Sequence, residues 1–96
     1  MKLAGLIPGT LGGSLMTLTA ELDPREWKGG KATIRLSIPT MVTPMGEVVS
    51  TTQGIAFYDN ADDGPEVIDV EVIPAGAIIM VRDGDMIGNG AVIAQW

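Results

Sequence analysis

Strict alternation of polar and apolar residues is the dominant pattern of this chain. It is clearest over residues 31–38, where every second residue is apolar. Successive side chains of a strand point to opposite faces, so this segment is predicted to be a half-buried antiparallel strand. The residues predicted to share its buried face are Ala32, Ile34, Leu36 and Ile38.

A second alternating segment covers residues 67–73. Here apolar side chains alternate with two carboxylates, and burial favours the apolar set on the core side. We therefore expect Asp69 and Glu71 to face solvent. The residues predicted to face the core are Ile68, Val70 and Val72.

The remaining apolar runs are short and are separated by glycine, proline, asparagine and aspartate, which favour turns. About seven short strands at this spacing predict an all-β fold, a single small antiparallel β-sandwich or barrel. We assign this domain to residues 14–96 and an N-terminal arm or loop to residues 1–13. Residues 47–52 and 54–58 are either two strands or one strand with a bulge at Gly54. The further strand segments are 14–21, 77–81, 86–87 and 91–96.

Four connecting segments carry specific turn signals. Residues 23–27 begin Asp-Pro and predict a turn or a single helical turn capped by Asp23. Asp83-Gly84 and residues 88–90 predict tight hairpins. Residues 39–46 contain two prolines, which exclude this segment from a central strand and predict an apolar loop.

Composition indicates a protein with exposed apolar surface. Of the 96 residues, 46% are apolar and only 19% are charged, below the roughly 25% charged residues of a typical soluble domain. Contiguous exposed apolar surface usually marks an interaction site. No segment reaches the ~20 apolar residues of a membrane span, so we expect no membrane partner.

The charge is unevenly distributed along the chain. Residues 1–46 carry five basic and three acidic residues, a sum of +2, whereas residues 47–96 carry nine acidic residues and one arginine, a sum of −8. An acidic protein does not offer the basic face that nucleic acids require, so we expect no nucleic-acid partner. The acids serve either solubility or the orientation of a basic partner.

The chain offers little catalytic chemistry, because it has no histidine and no cysteine. Serine nucleophiles therefore lack their usual base, and we expect no enzymatic activity. The acidic segment 59–64 is the best calcium candidate, but Ala61 and Val70 stand where an EF-hand loop needs oxygen ligands. A plain turn is the preferred interpretation, so no metal or cofactor is assigned.

Several apolar residues are candidates for contacts with other chains. Trp96 either caps its own core or anchors into a neighbour. Trp27 either plugs the core or stacks on a sugar. The interface candidates are Leu3, Leu6 and Ile7 in the arm, Met41, Val42 and Met45 in the 39–46 loop, and Trp96.

Residues 14–75 resemble the immunoglobulin-like or prealbumin-like sandwich modules of tailed-phage virion proteins. In those modules a Gly-x-Ala-Thr-Val-x-Phe strand precedes a loop, a Gly-x-Phe strand and an acidic turn. The matching positions are Gly30, Ala32, Thr33, Ile34 and Leu36, then Gly54 and Phe57, then residues 59–63. The C-terminal residues also resemble lipoyl-type hairpins, but the lysine that would carry the cofactor is missing.

The resemblance implies a structural protein of a phage particle, with a capsid decoration protein as the first expectation. Such a subunit would form a homo-oligomer, such as a trimer, and bind a larger virion protein such as the major capsid protein. It would be made in the host cytoplasm and incorporated into the virion. The alternatives are a tail or tail-fibre component, or a carbohydrate-binding module that uses Trp27, Tyr58 and residues 59–63.

Overall fold

The computed structural model of the protein describes residues 16–60 and 66–96. These residues form nine strands and one 3-10 turn, which confirms the predicted all-β fold. Within the same ranges no helix has the length and apolar character needed to cross a membrane. The strands are β1 (Thr17–Thr19), β2 (Lys31–Ser37), β3 (Thr40–Val42), β4 (Val48–Ser50), β5 (Gly54–Asp59), β6 (Ile68–Ile73), β7 (Ile78–Ile79), β8 (Met86–Gly88) and β9 (Val92–Gln95).

The strands form two antiparallel sheets that share one core. The five-stranded sheet has the order β1-β9-β7-β4-β3, and the four-stranded sheet has the order β6-β5-β2-β8. Inward side chains from both sheets are buried in a single cluster, so the fold is a two-sheet sandwich. The predicted N-terminal arm, residues 1–13, lies outside the described residues. Buried members of the cluster include Ile34, Ala56, Tyr58 and Ile87 from one sheet and Ile79, Ile93 and Ala94 from the other.

The segment predicted as an apolar loop contains an additional strand. Residues 40–42 form β3, which pairs with β4 at one edge of the five-stranded sheet. The flanking Pro39 is tolerated there because an edge strand leaves one row of backbone groups unpaired. Its carbonyl accepts a hydrogen bond from the Thr51 N–H at 2.8 Å, which closes the end of this hairpin.

The two tight turns predicted as hairpins near the C-terminus are in fact crossings between the sheets. The Asp83-Gly84 turn joins β7 to β8, and residues 88–90 join β8 to β9, yet β8 belongs to the four-stranded sheet and β7 and β9 to the other. The turn residues were recognised correctly, but a turn sequence does not specify which strands pair across it. Pairing is decided by burial on both sides of the sandwich.

The turn at residues 82–85 also covers part of the free edge of β2. Asp83 Oδ1 accepts a hydrogen bond from the Leu36 N–H at 2.9 Å. The Ile34 N–H donates to the Asp85 carbonyl at 2.9 Å, and the Gly84 N–H donates to the Ile34 carbonyl at 2.7 Å. These bonds continue the pairing of β2 beyond the short strand β8.

The turn predicted over residues 23–27 is confirmed. The Asp23 carboxylate accepts from the Arg25 N–H at 2.9 Å, and the Trp27 N–H donates to the Asp23 carbonyl at 2.7 Å. The Arg25 side chain pairs with the same carboxylate and lowers the pKa of Asp23. Gly29 and Gly30 follow with φ near +67° and +66°, a conformation that favours glycine. This geometry directs Trp27 into the core.

Ser50 is the buried polar residue of the core. Its Oγ donates to the Pro74 carbonyl at 2.7 Å and accepts from the Ala77 N–H at 2.9 Å. A buried hydroxyl is tolerated when both roles are satisfied, as they are here. Ser50 therefore fixes the turn that leads from β6 into β7.

Gly54 starts β5 directly against the backbone at the end of β2. A Cβ built at this position would lie 2.7 Å from the Ser37 carbonyl oxygen and 2.8 Å from the Ile38 Cα. Both are backbone atoms at the end of β2 and cannot move aside as a side-chain tip would. Only glycine fits this position without displacing one strand from the other.

We predict that Gly54→Ala lowers the free energy of unfolding by about 1–3 kcal/mol, because the added methyl group overpacks two backbones. Gly88→Ala is the matched control, since a Cβ there has no neighbour within 4 Å. We expect the control to remain within about 0.5 kcal/mol of the wild-type protein. Urea unfolding followed by tryptophan fluorescence measures both, and equal stabilities of the two variants would contradict the packing argument.

Candidate functional site

Strand β6 presents its apolar side chains to solvent. Ile68, Val70 and Val72 are 56%, 53% and 57% exposed, whereas Ile73 is fully buried. In the register with β5, Glu71 pairs with Ala56 and Asp69 pairs with Tyr58. Ala56 and Tyr58 are buried, so residues 69, 71 and 73 of β6 lie on the core side. The prediction that Ile68, Val70 and Val72 face the core is therefore wrong.

The physical reason is the position of β6 at the edge of its sheet. The inner side of an edge strand lies at the open seam of the sandwich, where a carboxylate still reaches solvent. Glu71 is half-buried and Asp69 is exposed although both lie on the core side. An edge strand can therefore carry carboxylates on its core side and apolar side chains on its solvent side, which a central strand could not.

The apolar surface of β6 continues onto β5. Val72 lies opposite Ile55 and Val70 lies opposite Phe57, so these side chains share the outer face of the sheet. Ile55 is exposed and Phe57 is half-buried. We call this surface the apolar face. Its members are Ile55, Phe57, Ile68, Val70 and Val72.

Two signals in the sequence could have revealed the apolar face. Val67 and Ile73 are separated from Asp69 and Glu71 by even numbers of residues along the strand, so all four side chains share one face. Val67 and Ile73 pack on the core, and this face is therefore the inner one. The low charged fraction of the chain also predicted that apolar side chains would be left outside. Alternation alone identifies two faces of a strand and does not say which one is buried.

The inner side of β6 carries an acidic group of side chains beside Tyr58. Burial raises the pKa of Tyr58 to about 12, with smaller contributions from the negative charges of Glu71 and Asp69. Burial also raises the pKa of Glu71, and Asp69 and Glu21 contribute further. The Tyr58 hydroxyl is buried and has no hydrogen-bond partner among the described residues.

The aromatic residues of the predicted carbohydrate site are buried. Trp27 is 2% exposed and Tyr58 is 1% exposed. Their rings pack edge to face, with centroids 6.3 Å apart. Trp27 thus plugs the core, one of the two interpretations open from the sequence, and neither ring offers a surface on which a sugar could stack.

The calcium candidate lies partly outside the described residues, because residues 61–65 of the acidic loop are not described. In the described ranges no group of three or more histidine, cysteine, aspartate or glutamate side chains is arranged to hold a metal ion.

The sequence-predicted interface residues lie in separate places. Met41, Val42 and Met45 are exposed in the β3–β4 hairpin. Trp96 is half-buried against the core, and its backbone exchanges two hydrogen bonds with Met16 beside β1, at the other edge of the same sheet. Trp96 thus caps its own core in part. The arm candidates Leu3, Leu6 and Ile7 lie outside the described residues.

A small cleft opens at the seam between the two sheets. Its volume is about 310 Å³, and Leu36, Ile38, Val48 and Val81 line it together with Arg82 and Asp83. The Asp83 carboxylate already accepts a hydrogen bond from the Leu36 backbone. The cleft therefore offers a mainly apolar hollow with little polar chemistry to orient a ligand.

Comparison of the chain with models of known protein families and with characterised proteins finds no match. The apolar face on β5 and β6 and the exposed side chains of the β3–β4 hairpin are therefore the surfaces that bear on function.

We predict that the single tyrosine of the chain, Tyr58, titrates with a pKa of about 12 in the folded protein. In denaturant the value should return to about 10. Because the folded-state pKa is the higher one, stability is lost as the pH rises from about 10 to about 12. Absorbance at 295 nm measures the titration, and urea unfolding across this range measures the linked stability.

Tyr58→Phe provides the control for this prediction. It removes the ionising group, so the tyrosine-linked loss of stability above pH 10 should disappear. It also removes a buried hydroxyl that lacks a partner, so we expect stability at pH 7 to rise by about 1 kcal/mol. Destabilisation at pH 7 would instead mean that the hydroxyl is hydrogen-bonded.

We predict that Glu71→Gln stabilises the protein at pH 7. The pKa of Glu71 is higher in the folded state, so its charge opposes folding above that pKa, and the penalty disappears as the pH falls below the unfolded value. The gain from Glu71→Gln should therefore shrink on acidification. Glu47→Gln, an exposed turn residue, is the control. Urea unfolding at pH 7 and pH 3.5 measures the difference, and a gain that persists unchanged at pH 3.5 would contradict it.

Proposed function

We propose that this chain is a non-enzymatic assembly subunit that works through protein–protein contact, and that it is a capsid decoration protein of a tailed phage. The observation that carries the proposal is the apolar face, where three side chains of β6 are more than half exposed. A partner that covers this face is the simplest account of contiguous apolar side chains on the outer side of a sheet.

The energy available at this face suits a protein contact. Full burial of a Val or Ile side chain contributes roughly 1.5–3 kcal/mol. Since Ile68, Val70 and Val72 are about half exposed, covering them would contribute about 1 kcal/mol each. Three such side chains at the centre of a larger interface would make a substantial share of its affinity.

The phage assignment comes from the resemblance in residues 14–75. Of the first motif, Gly30 directly precedes β2 and the other matching residues lie in β2. The matching residues of the second motif lie in β5, and β2 and β5 pair along five residues of register. The absence of histidine and cysteine from the sequence favours a structural role over catalysis. In a capsid shell, a homo-oligomer such as a trimer would bind the major capsid protein and add buried area across subunit junctions.

The test uses particles of the virus whose genome carries this gene, prepared without this protein. We predict that the added wild-type chain co-sediments with the shells and raises their melting temperature. The variant Ile68→Thr/Val70→Thr/Val72→Thr should bind roughly 100-fold more weakly, because about 3 kcal/mol of apolar burial is lost. Threonine keeps the β-branched shape that strands favour, so the variant should fold.

Two further variants make this experiment specific. Val92→Thr, an exposed position in β9, controls for loss of an apolar surface residue elsewhere. Val42→Thr tests the contact that the sequence placed in the 39–46 segment. If wild-type protein fails to bind the shells, or if a gene for a major capsid protein is absent from the same genome, the decoration proposal is overturned. If only Val42→Thr loses binding, the apolar face is not the contact.

A further inference from the structure

Strand β6 has an open edge within the described part of the chain. It pairs with β5 over six continuous register positions without a bulge, and it is the terminal strand of its sheet. Exposed edges are usually protected by lysine, proline, a bulge or inward-pointing charged residues. The β6 sequence from Ile68 to Ile73 contains no lysine, no proline and no bulge, and the carboxylates of Asp69 and Glu71 are its only protection of this kind.

Backbone groups of alternate β6 residues point away from β5. The Val70 N–H donates to the carboxylate of its neighbour Asp69 at 3.2 Å, which places this N–H on the free side of the strand. Backbone groups of alternate residues point to the same side of a strand. The N–H and C=O groups of Ile68 and Val72 therefore face the free side as well.

The two faces of the edge differ in chemistry. The outer side belongs to the apolar face, and the inner side carries Asp69 and Glu71, with Glu21 close enough to interact. The ion pair found in the described ranges joins Arg25 and Asp23 and involves none of these three acids. Among residues 16–60 and 66–96, the inner side thus presents negative charge that no ion pair neutralises.

We propose that β6 is a docking edge that binds an extended segment of the partner protein in which Lys or Arg alternates with apolar residues. The added strand forms backbone hydrogen bonds to Ile68, Val70 and Val72. Its apolar side chains extend the apolar face, and its basic side chains stand beside Asp69 and Glu71. This inference deepens the proposed function and rests on it only in requiring a protein partner.

A second copy of this chain is a poor occupant of the same edge. If two β6 strands pair about a two-fold axis, the inner side of one strand continues the inner side of the other. Odd-numbered residues, which lie on the inner side, then stand opposite odd-numbered residues. Registers centred on residues 69, 70 or 71 therefore set a carboxylate opposite a carboxylate, and like charges in direct opposition are destabilising. The acids act against self-pairing while favouring a basic strand.

The test uses two fluorescent eight-residue peptides with blocked ends, one alternating Lys and Val and the other alternating Glu and Val. By fluorescence anisotropy, we expect the Lys/Val peptide to bind the full chain at least tenfold more tightly than the Glu/Val peptide. Val70→Pro removes the outward N–H without changing the charge and should weaken binding at least tenfold. Proline is tolerated at such an edge position, and circular dichroism verifies the fold.

Charge variants test the recognition chemistry. Asp69→Lys/Glu71→Lys should reverse the preference, so that the Glu/Val peptide binds better. Glu47→Lys/Glu26→Lys makes the same change of charge at exposed positions away from β6 and should leave the preference for the Lys/Val peptide in place. Equal binding of both peptides by wild-type protein, or unchanged binding to Val70→Pro, would overturn the docking edge.

The outcomes separate this inference from the proposed function. Shell binding that depends on the apolar face, without peptide binding at β6, would overturn the docking edge and leave the decoration proposal standing. Peptide binding at β6 without shell binding would overturn the decoration proposal and leave the docking edge standing. A wild-type dimer that Val70→Pro dissociates would show that a second copy occupies the edge and would overturn the basic-strand assignment.

Discussion

The close approach of Gly54 to the end of β2 is the contact on which the four-stranded sheet depends. Because Gly54 has no Cβ, β5 begins against the backbone of Ser37 and Ile38 and pairs its first residue with Ile73. Side chains alternate with a period of two, so this one inward position determines the rest of β5 and β6. A shift of one residue would exchange the inner and outer faces of β6.

This register produces a strand with two different surfaces. Its outer side chains form an apolar surface that continues across β5. Its inner side chains include Glu71 and Asp69, which lie beside the buried ring of Tyr58. Burial and mutual repulsion oppose the charge on Glu71. Glu71 therefore adds nothing to the stability of the isolated domain at neutral pH, and in the docking edge proposed above the carboxylates select the strand that covers β6.

Sequence patterns identified most of the strands and the class of fold. The alternation over residues 31–38 corresponds to β2, and the Asp-Pro turn at residues 23–27 places Trp27 in the core. The patterns failed where the decision was not local. β3 is a strand only because it pairs with β4, which its own sequence does not indicate. The Asp83-Gly84 turn joins strands of different sheets, and the orientation of β6 depends on its position at a sheet edge. The predicted contacts at Met41, Val42 and Met45 lie in the edge hairpin of the other sheet and not on the apolar face.

The amino-acid sequence by itself determined that this protein is built from short two-sided strands and that its supply of apolar residues exceeds what the core needs. Both follow from local periodicity and composition, which each segment carries without reference to the others. Only the tertiary structure decided which apolar residues remain outside. The reason is that inside and outside are properties of a strand's neighbours: Ile73 is covered by the opposite sheet, whereas Val70 lies on the outer face of an edge strand and stays open.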